Sequence, residues 1–237
     1  MHYEQVCEAR FLARPNRFVA LVEREGRTER VHVKNTGRCA ELLVPGARVW
    51  LSRAQNPARR TPYDLIAVEK WRPAGPLLIN MDSAAPNAAA GQWLRSGGLG
   101  PLEEVRPEYR LGDSRFDFFA RRGEEKLLIE VKGCTLEEGG IARFPDAPTL
   151  RGLKHVRELT GLCAQGWRCF VLIVIQMKEI RLFEPNWATH PQFGQALWEA
   201  SRAGVEVLAR DCIVTADSMT LDQPVPLGLC PPGERDF

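Results

Sequence analysis

Five short stretches near the start of the chain read as strands. Residues 17–23, RFVALVE, are apolar between charged ends, while 30–33 and 48–51 alternate polar and apolar positions with period two. Residues 63–71, YDLIAVEKW, make a longer apolar stretch, and 7–14 supply the first strand. Between the third and fourth strands, residues 36–46 (TGRCAELLVPG) have room for one short helix, ended by Pro45 and Gly46. Five short strands with a helix between the third and fourth is the layout of a small OB-like barrel. Pro73 and Pro76, with Gly75 between them, mark a linker. Beyond it the pattern mixes. Ser83 is placed to cap a helix that runs through 88–95 and ends at Gly97 and Gly98. Strands are expected near 103–109, 114–120 and 126–132, a helix over 149–165, and a strongly apolar strand over 169–175. A short strand at 179–183, a helix at 191–203 and a strand at 205–209 follow, which together predict a layered α/β domain. The expected division is a barrel over 1–75, an α/β domain over 76–223 and a loose tail over 224–237.

Composition adds three constraints. The 237 residues are 44% hydrophobic and 26% charged, the balance of an ordinary globular chain with a sizeable core. No apolar run approaches the roughly 20 residues of a membrane helix. The opening MHYEQVCEARF lacks the basic-then-apolar order of a secretory leader. Seven cysteines, an odd number with no CxxC pair, argue against a disulfide framework or zinc ribbon, so a reducing cytoplasm is expected. The charge is uneven. Residues 1–75 hold 14 Lys+Arg against 8 Asp+Glu, and 76–237 hold 18 against 22. A basic module joined to an acidic one predicts an anionic partner for the first.

One strand carries the candidate chemistry. In KLLIEVKGCT, residues 126–135, alternation places Leu128, Glu130 and Lys132 on one face. The preceding strand contains Asp117, and the turn between them offers Gly123-Glu124 as a two-residue hairpin loop, Gly first, as a type II′ turn requires. That register sets Asp117 opposite Glu130, with Cβ atoms roughly 4.5–5.5 Å apart. Two like charges there are destabilising unless something compensates. A divalent cation does so, and paired carboxylates suit Mg²⁺ (or Mn²⁺). Lys132, on the same face, is placed to position a nucleophilic water or to offset charge developing on a phosphate. Glu124-x-Lys126 repeats the spacing, but in a charged turn where a solvated ion pair accounts for it. In the helix opened by Thr149, or by Asp146 just before it, Arg151, Lys154, His155 and Glu158 share a stripe that suits phosphate contacts.

Several segments together resemble the sugar fermentation stimulation protein A family. They are 35–46, 60–65, the SRFDF of 114–118, Glu130-Val131-Lys132, the FPDAPTLRGLKH of 144–155 and 204–207. The resemblance implies an α/β fold with an all-β first domain. An OB-like five-stranded barrel comes first, then a PD-(D/E)xK nuclease-like mixed sheet flanked by helices. It places the nuclease motif on Asp117, Glu130 and Lys132 and makes Glu104 an outer acidic ligand. It also implies DNA binding and a regulatory link to sugar, especially maltose, metabolism. The expected phosphate contacts are Arg14, Arg17, Lys34, Arg38 and Arg60 in the barrel, and Arg115, Arg151, Lys154 and His155 beyond it. Three functions stay open at this point. One is a Mg²⁺-dependent nuclease acting on DNA. Another is a non-catalytic DNA-binding regulator that keeps the nuclease scaffold. The third is a role on RNA. Non-specific DNA binding with a metal-dependent phosphodiester hydrolase site is the expectation carried forward.

Overall fold

The computed structural model describes residues 1–35, 37–56 and 58–234. In the first domain, period-two alternation sends one face of each strand inward. β1 (Val6–Asn16) buries Ala9 and Phe11, β2 (Val19–Arg24) buries Ala20 and Val22, and β3 (Arg27–Val33) buries Val31 and Val33. β4 (Arg48–Arg53) buries Val49 and Leu51 and β6 (Gly75–Asn80) buries Leu77 and Ile79, while β5 (Tyr63–Arg72), whose pairing with β4 is bulged, breaks the alternation and buries Leu65, Ile66, Ala67 and Val68. The strand order is β3-β2-β1-β4-β5-β6, and a short parallel pairing of β3 with β5 (His32 with Asp64, Val33 with Leu65) closes the first five strands on themselves. That closure makes the barrel, and it removes two edges that would otherwise be open to pairing.

Two expectations for this half need correction. The Pro73–Pro76 linker is the turn of a hairpin, and β6 continues the barrel sheet antiparallel to β5. The short helix expected over 36–46 is a single turn, in which Leu42 and Leu43 both donate to the Cys39 carbonyl. Pro45 and Gly46 leave too few residues to offset helix nucleation. Thr36, at the start of that segment, lies outside the described residues.

The second domain runs α1 (Ala85–Arg95), β7 (Glu104–Leu111), β8 (Ser114–Arg122), β9 (Glu125–Cys134), β10 (Leu136–Glu138), β11 (Ile141–Phe144), α2 (Leu150–Cys163), β12 (Arg168–Ile175), β13 (Leu182–Pro185), α3 (Pro191–Arg202), β14 (Glu206–Val214) and β15 (Met219–Pro224). Its main sheet has the order β15-β14-β12-β9-β8-β7. β9, β12 and β14 are parallel and the outer pairs antiparallel. β12, RCFVLIVI, is covered on both faces, which is why it reads as one apolar run. Leu127, Ile129 and Val131 pack on the α1 side, and Leu128 packs with α2 and α3. β10, β11 and β13 form a small separate sheet.

Helix α2 starts as expected, with the Thr149 hydroxyl accepting from the Gly152 N–H at 3.1 Å. Helix α1 does not. Its N-cap is Ala84, and Ser83 donates instead to the Lys34 carbonyl at 2.5 Å. Asp82, buried, accepts from the Ala84 N–H. The tail is not loose up to Gly228. Val225 donates to the Ala209 carbonyl, Phe183 to that of Pro226, and Gly228 to that of Phe183. Residues 235–237 lie outside the described residues. Polar contacts join the two halves: Lys70 with Glu137 at 2.7 Å, Arg72 with Glu179 at 2.5 Å and Lys34 with Asp82 at 2.7 Å. Among the described residues no helix is long and apolar enough to cross a membrane.

Candidate active site

The β8–β9 hairpin has the register read from its turn. Gly123 has φ +56° and Glu124 does not have a positive φ, the type II′ arrangement, and pairs run from Arg122 with Glu125 to Phe118 with Ile129. The ladder stops there, one step before Asp117 and Glu130 would pair. The Asp117 side chain takes over the hydrogen bonding: Oδ2 accepts the Val131 N–H at 2.7 Å, and Oδ1 accepts Asn87 Nδ2 of α1 at 2.8 Å. The two carboxylates thus meet where β8 and β9 part, not as a cross-strand pair.

Glu130 is almost wholly buried, and one of its oxygens is crowded. Lys132 Nζ and His155 Nδ1 both lie 2.5 Å from Oε1. Alternation puts Lys132 on the Glu130 face, and α2 brings His155 down onto it. Oε2 is buried with no hydrogen-bond partner among the described residues. The two groups titrate in opposite directions. Burial, then the negative charge of Glu130, pushes the Asp117 carboxyl above the usual range. Burial also opposes ionisation of Glu130, but the His155 hydrogen bond and the Lys132 charge outweigh it and hold that carboxyl below the usual range. A buried acceptor left unpaired costs about 1–3 kcal/mol. An unpaired carboxylate oxygen beside a second carboxylate is the donor chemistry a hard divalent cation takes. Asp117 and Glu130 therefore fit such an ion in kind. Among the described residues no three acidic, His or Cys side chains converge as a complete ligand set.

Glu104 does not reach this site. It pairs with Arg121 four positions up the hairpin from Asp117, roughly 13 Å along a strand at about 3.3 Å per residue. Its carboxylate lies 2.6 Å from Arg106 and 3.8 Å from Arg121. Glu108 takes the place near Asp117. Pro107 pairs with Phe118 and Tyr109 with Phe116, leaving Glu108 and Asp117 across from each other between them. Glu108 has φ +55°, a left-handed kink within a strand, and its carboxylate meets Arg115 at 2.7 Å. The signal for it is in the sequence. The β7–β8 turn, Gly112-Asp113, is also a two-residue loop with Gly first, and the same register rule names Glu108 as the partner of Asp117.

Two clefts flank the carboxylates. One, of about 250 Å³, has Asp117 and Glu108 in its wall together with α1. The other, of about 420 Å³, is lined by Asp113, Ser114, Arg115, Leu150, Arg151, Lys154 and His155. Arg151 and Lys154 are exposed there, but His155 is mostly buried behind Glu130. The expected basic residues of the barrel divide. Arg14 donates to the carbonyls of Gly37, Arg38, Arg17 and Asn35, and Lys34 is committed to buried Asp82. Neither is free for a ligand. Arg17 lies over the exposed Phe18 ring at 4.7 Å. Arg38 and Arg60 are exposed.

The chain is similar to known proteins over nearly its full length. Residues 12–73 match the profile described as SfsA N-terminal OB domain, and residues 84–218 match that described as sugar fermentation stimulation protein RE domain. A sugar fermentation stimulation protein homolog of Desulfitobacterium hafniense (strain Y51) is 51% identical over 219 residues, covering 92% of this chain and 94% of the relative. A homolog from Ruminiclostridium cellulolyticum is 46% identical, covering 97% and 100%. Among solved structures, Pyrococcus furiosus SfsA in complex with Ca²⁺ superposes with a TM-score of 0.84 at 26% identity, covering 96% of this chain and 98% of that one. With both domain profiles matched in order, the chain belongs to the sugar fermentation stimulation protein family, an OB domain followed by an RE domain.

Proposed function

We propose that the protein binds DNA without strong sequence preference and carries a divalent-metal-dependent phosphodiester hydrolase site. The observation that carries this is the Asp117–Glu130 pair, with the orphaned buried Oε2 of Glu130 beside Lys132. Asp117 and Glu130 would hold the cation, Mg²⁺ or Mn²⁺. When bound, it supplies Lewis acidity and a water of lowered pKa. The chain's own residues do the rest. Asn87 and the Val131 N–H orient Asp117, and His155 and Lys132 keep Glu130 ionised. Arg151 and Lys154 fix phosphates in the adjoining cleft. The Pyrococcus furiosus relative is in complex with Ca²⁺, which supports divalent-ion binding by this chain as well. The free cysteines support a reducing, cytoplasmic setting.

One observation favours a second reading. Lys132 and His155 both bond one oxygen of Glu130, which commits them to holding that carboxylate. A non-catalytic DNA-binding regulator, with the proposed tie to sugar metabolism, would need no more than this. Cleavage of single-stranded, duplex and branched DNA, and of matched RNA, in Mg²⁺ or Mn²⁺ decides between them. The hydrolase reading expects cleavage that disappears with EDTA and in Asp117→Asn. Binding that persists without any cleavage, and is unchanged or tighter in Asp117→Asn, overturns it in favour of the regulator.

A further inference from the structure

We propose that the 250 Å³ cleft beside Asp117 seats one unpaired nucleobase, so that the substrate class is single-stranded or frayed nucleic acid and not intact duplex. This rests on the nucleic-acid reading above and deepens it.

The two clefts differ in chemistry. The larger presents Arg115, Arg151 and Lys154, groups that suit phosphates. The smaller is built for a flat ring. Ala88, Gly91, Pro107 and Phe118 give it an apolar wall. At Gly91 helix α1 lies so close that an added Cβ would come within 3.1 Å of the Phe118 ring, which keeps that wall low and flat. Its polar groups sit around the wall. Asn87 spends its Nδ2 on Asp117, leaving its Oδ1 as an acceptor. Arg95 uses Nη1 on the Gly91 carbonyl, and its other donors have no partner among the described residues. Glu108 gives one oxygen to Arg115. Apolar faces with donors and acceptors at the edge match a nucleobase.

Size and position exclude a base pair. At about 250 Å³ the cleft is smaller than the roughly 300–1,000 Å³ of pockets that take drug-sized ligands, which suits a single ring system better than a base pair. Asp117 lies in the wall, so a phosphate held at the carboxylates leaves only its own nucleotide within reach of this cleft. A base inside a stacked duplex cannot enter. It must swing out, at an unstacking cost that is least when it is already unpaired.

The test uses the full chain and fluorescence anisotropy with labelled oligonucleotides in Ca²⁺ and in EDTA. The probes are a single strand, its matched duplex, and a duplex carrying one unpaired 2-aminopurine. The variant is Ala88→Phe, which fills the cleft from an exposed helix position, with circular dichroism confirming its fold. The wild type is expected to bind the probes with an unpaired base about tenfold or more tighter than the duplex, with a change in 2-aminopurine fluorescence. Ala88→Phe is expected to lose both the preference and the fluorescence change. If the wild type shows no preference, or Ala88→Phe keeps the preference and the signal, the base seat is wrong while nucleic-acid binding stands. If the wild type binds none of the probes, both readings fall.

Discussion

Replacing Arg14 by alanine separates the structural basic residues of the barrel from those free to meet phosphate. Its guanidinium donates to Gly37 at 2.9 Å, Arg38 at 2.6 Å, Arg17 at 2.7 Å and Asn35 at 2.8 Å, all backbone carbonyls. One side chain thereby ties the β1–β2 turn to the loop after β3. Hydrogen bonds from a charged donor contribute about 1.5–3 kcal/mol each. The bonds to Gly37 and Asn35 are partly buried, while the other two are exposed, where water can replace the donor. Counting the two sheltered bonds at the low end gives a loss of about 3 kcal/mol. For a chain of this length each kcal/mol moves Tm by about 2–4 °C, so Arg14→Ala is expected to melt roughly 6–12 °C lower. The assay pairs thermal unfolding with anisotropy binding over a salt series. Arg14→Ala is expected to keep the wild-type slope of log K against log salt. Arg38→Ala or Arg60→Ala is expected to lower it by about 0.7–0.9 for each phosphate that is no longer neutralised. An Arg14→Ala protein that melts with the wild type, yet whose salt slope falls by one whole phosphate, would refute the internal role of Arg14.

Divalent-ion affinity, measured by calorimetry, is expected to drop more than tenfold in Asp117→Asn and in Glu130→Gln, and to stay at the wild-type level in Glu104→Gln, whose carboxylate is occupied far up the hairpin. Lys70→Met strands a buried carboxylate, because Glu137 is 1% exposed and loses its cation. Breaking such a pair costs about 3 kcal/mol. Burial opposes the Glu137 charge, but Lys70 and the Gly140 N–H hold its carboxyl below the ordinary value near 4.5. A depressed carboxyl stabilises the fold above that value and loses the contribution as pH falls through the folded pKa, so the Tm gap between wild type and Lys70→Met is expected to shrink in acid. A gap that is constant from neutral pH down to strong acid would remove the ion pair as its cause. Asp82→Ala removes both the Ala84 N–H acceptor and the Lys34 partner and is expected to destabilise by about 2 kcal/mol in chemical denaturation. Ser83→Ala, which loses one exposed hydrogen bond, is expected to cost less than about 1 kcal/mol in the same measurement.

The residues that act through near neighbours were legible in the letters. Period-two runs marked the strands of the barrel, the Thr149 hydroxyl marked the start of α2, and Gly123-Glu124 set a register that holds from Arg122 to Phe118. Applied once more, at Gly112-Asp113, the same rule would have chosen Glu108 over Glu104. Each is a short-range matter: backbone alternation, a local cap, a turn that admits only certain φ values. The body of helix α1 was legible too, but its start escaped that reading because Asp82, fixed in place by Lys34 of the other domain, and not Ser83, accepts from the Ala84 N–H.

The sequence by itself determined the three helices of the second domain, most of the strands, the β8–β9 register, and that Asp117, Glu130 and Lys132 come to one place, but not the β5–β6 hairpin or the strands β10, β11 and β15. Tertiary structure decided what each charge does there. The β3–β5 closure, the bond from Val131 to Asp117 that ends the ladder at Phe118, the descent of His155 onto Glu130 and the capture of Arg14 by the carbonyls of Asn35, Gly37 and Arg38 all join residues distant in the chain. A charged side chain takes whichever partner the packing of two surfaces presents, and no periodicity or turn within a dozen residues encodes that choice.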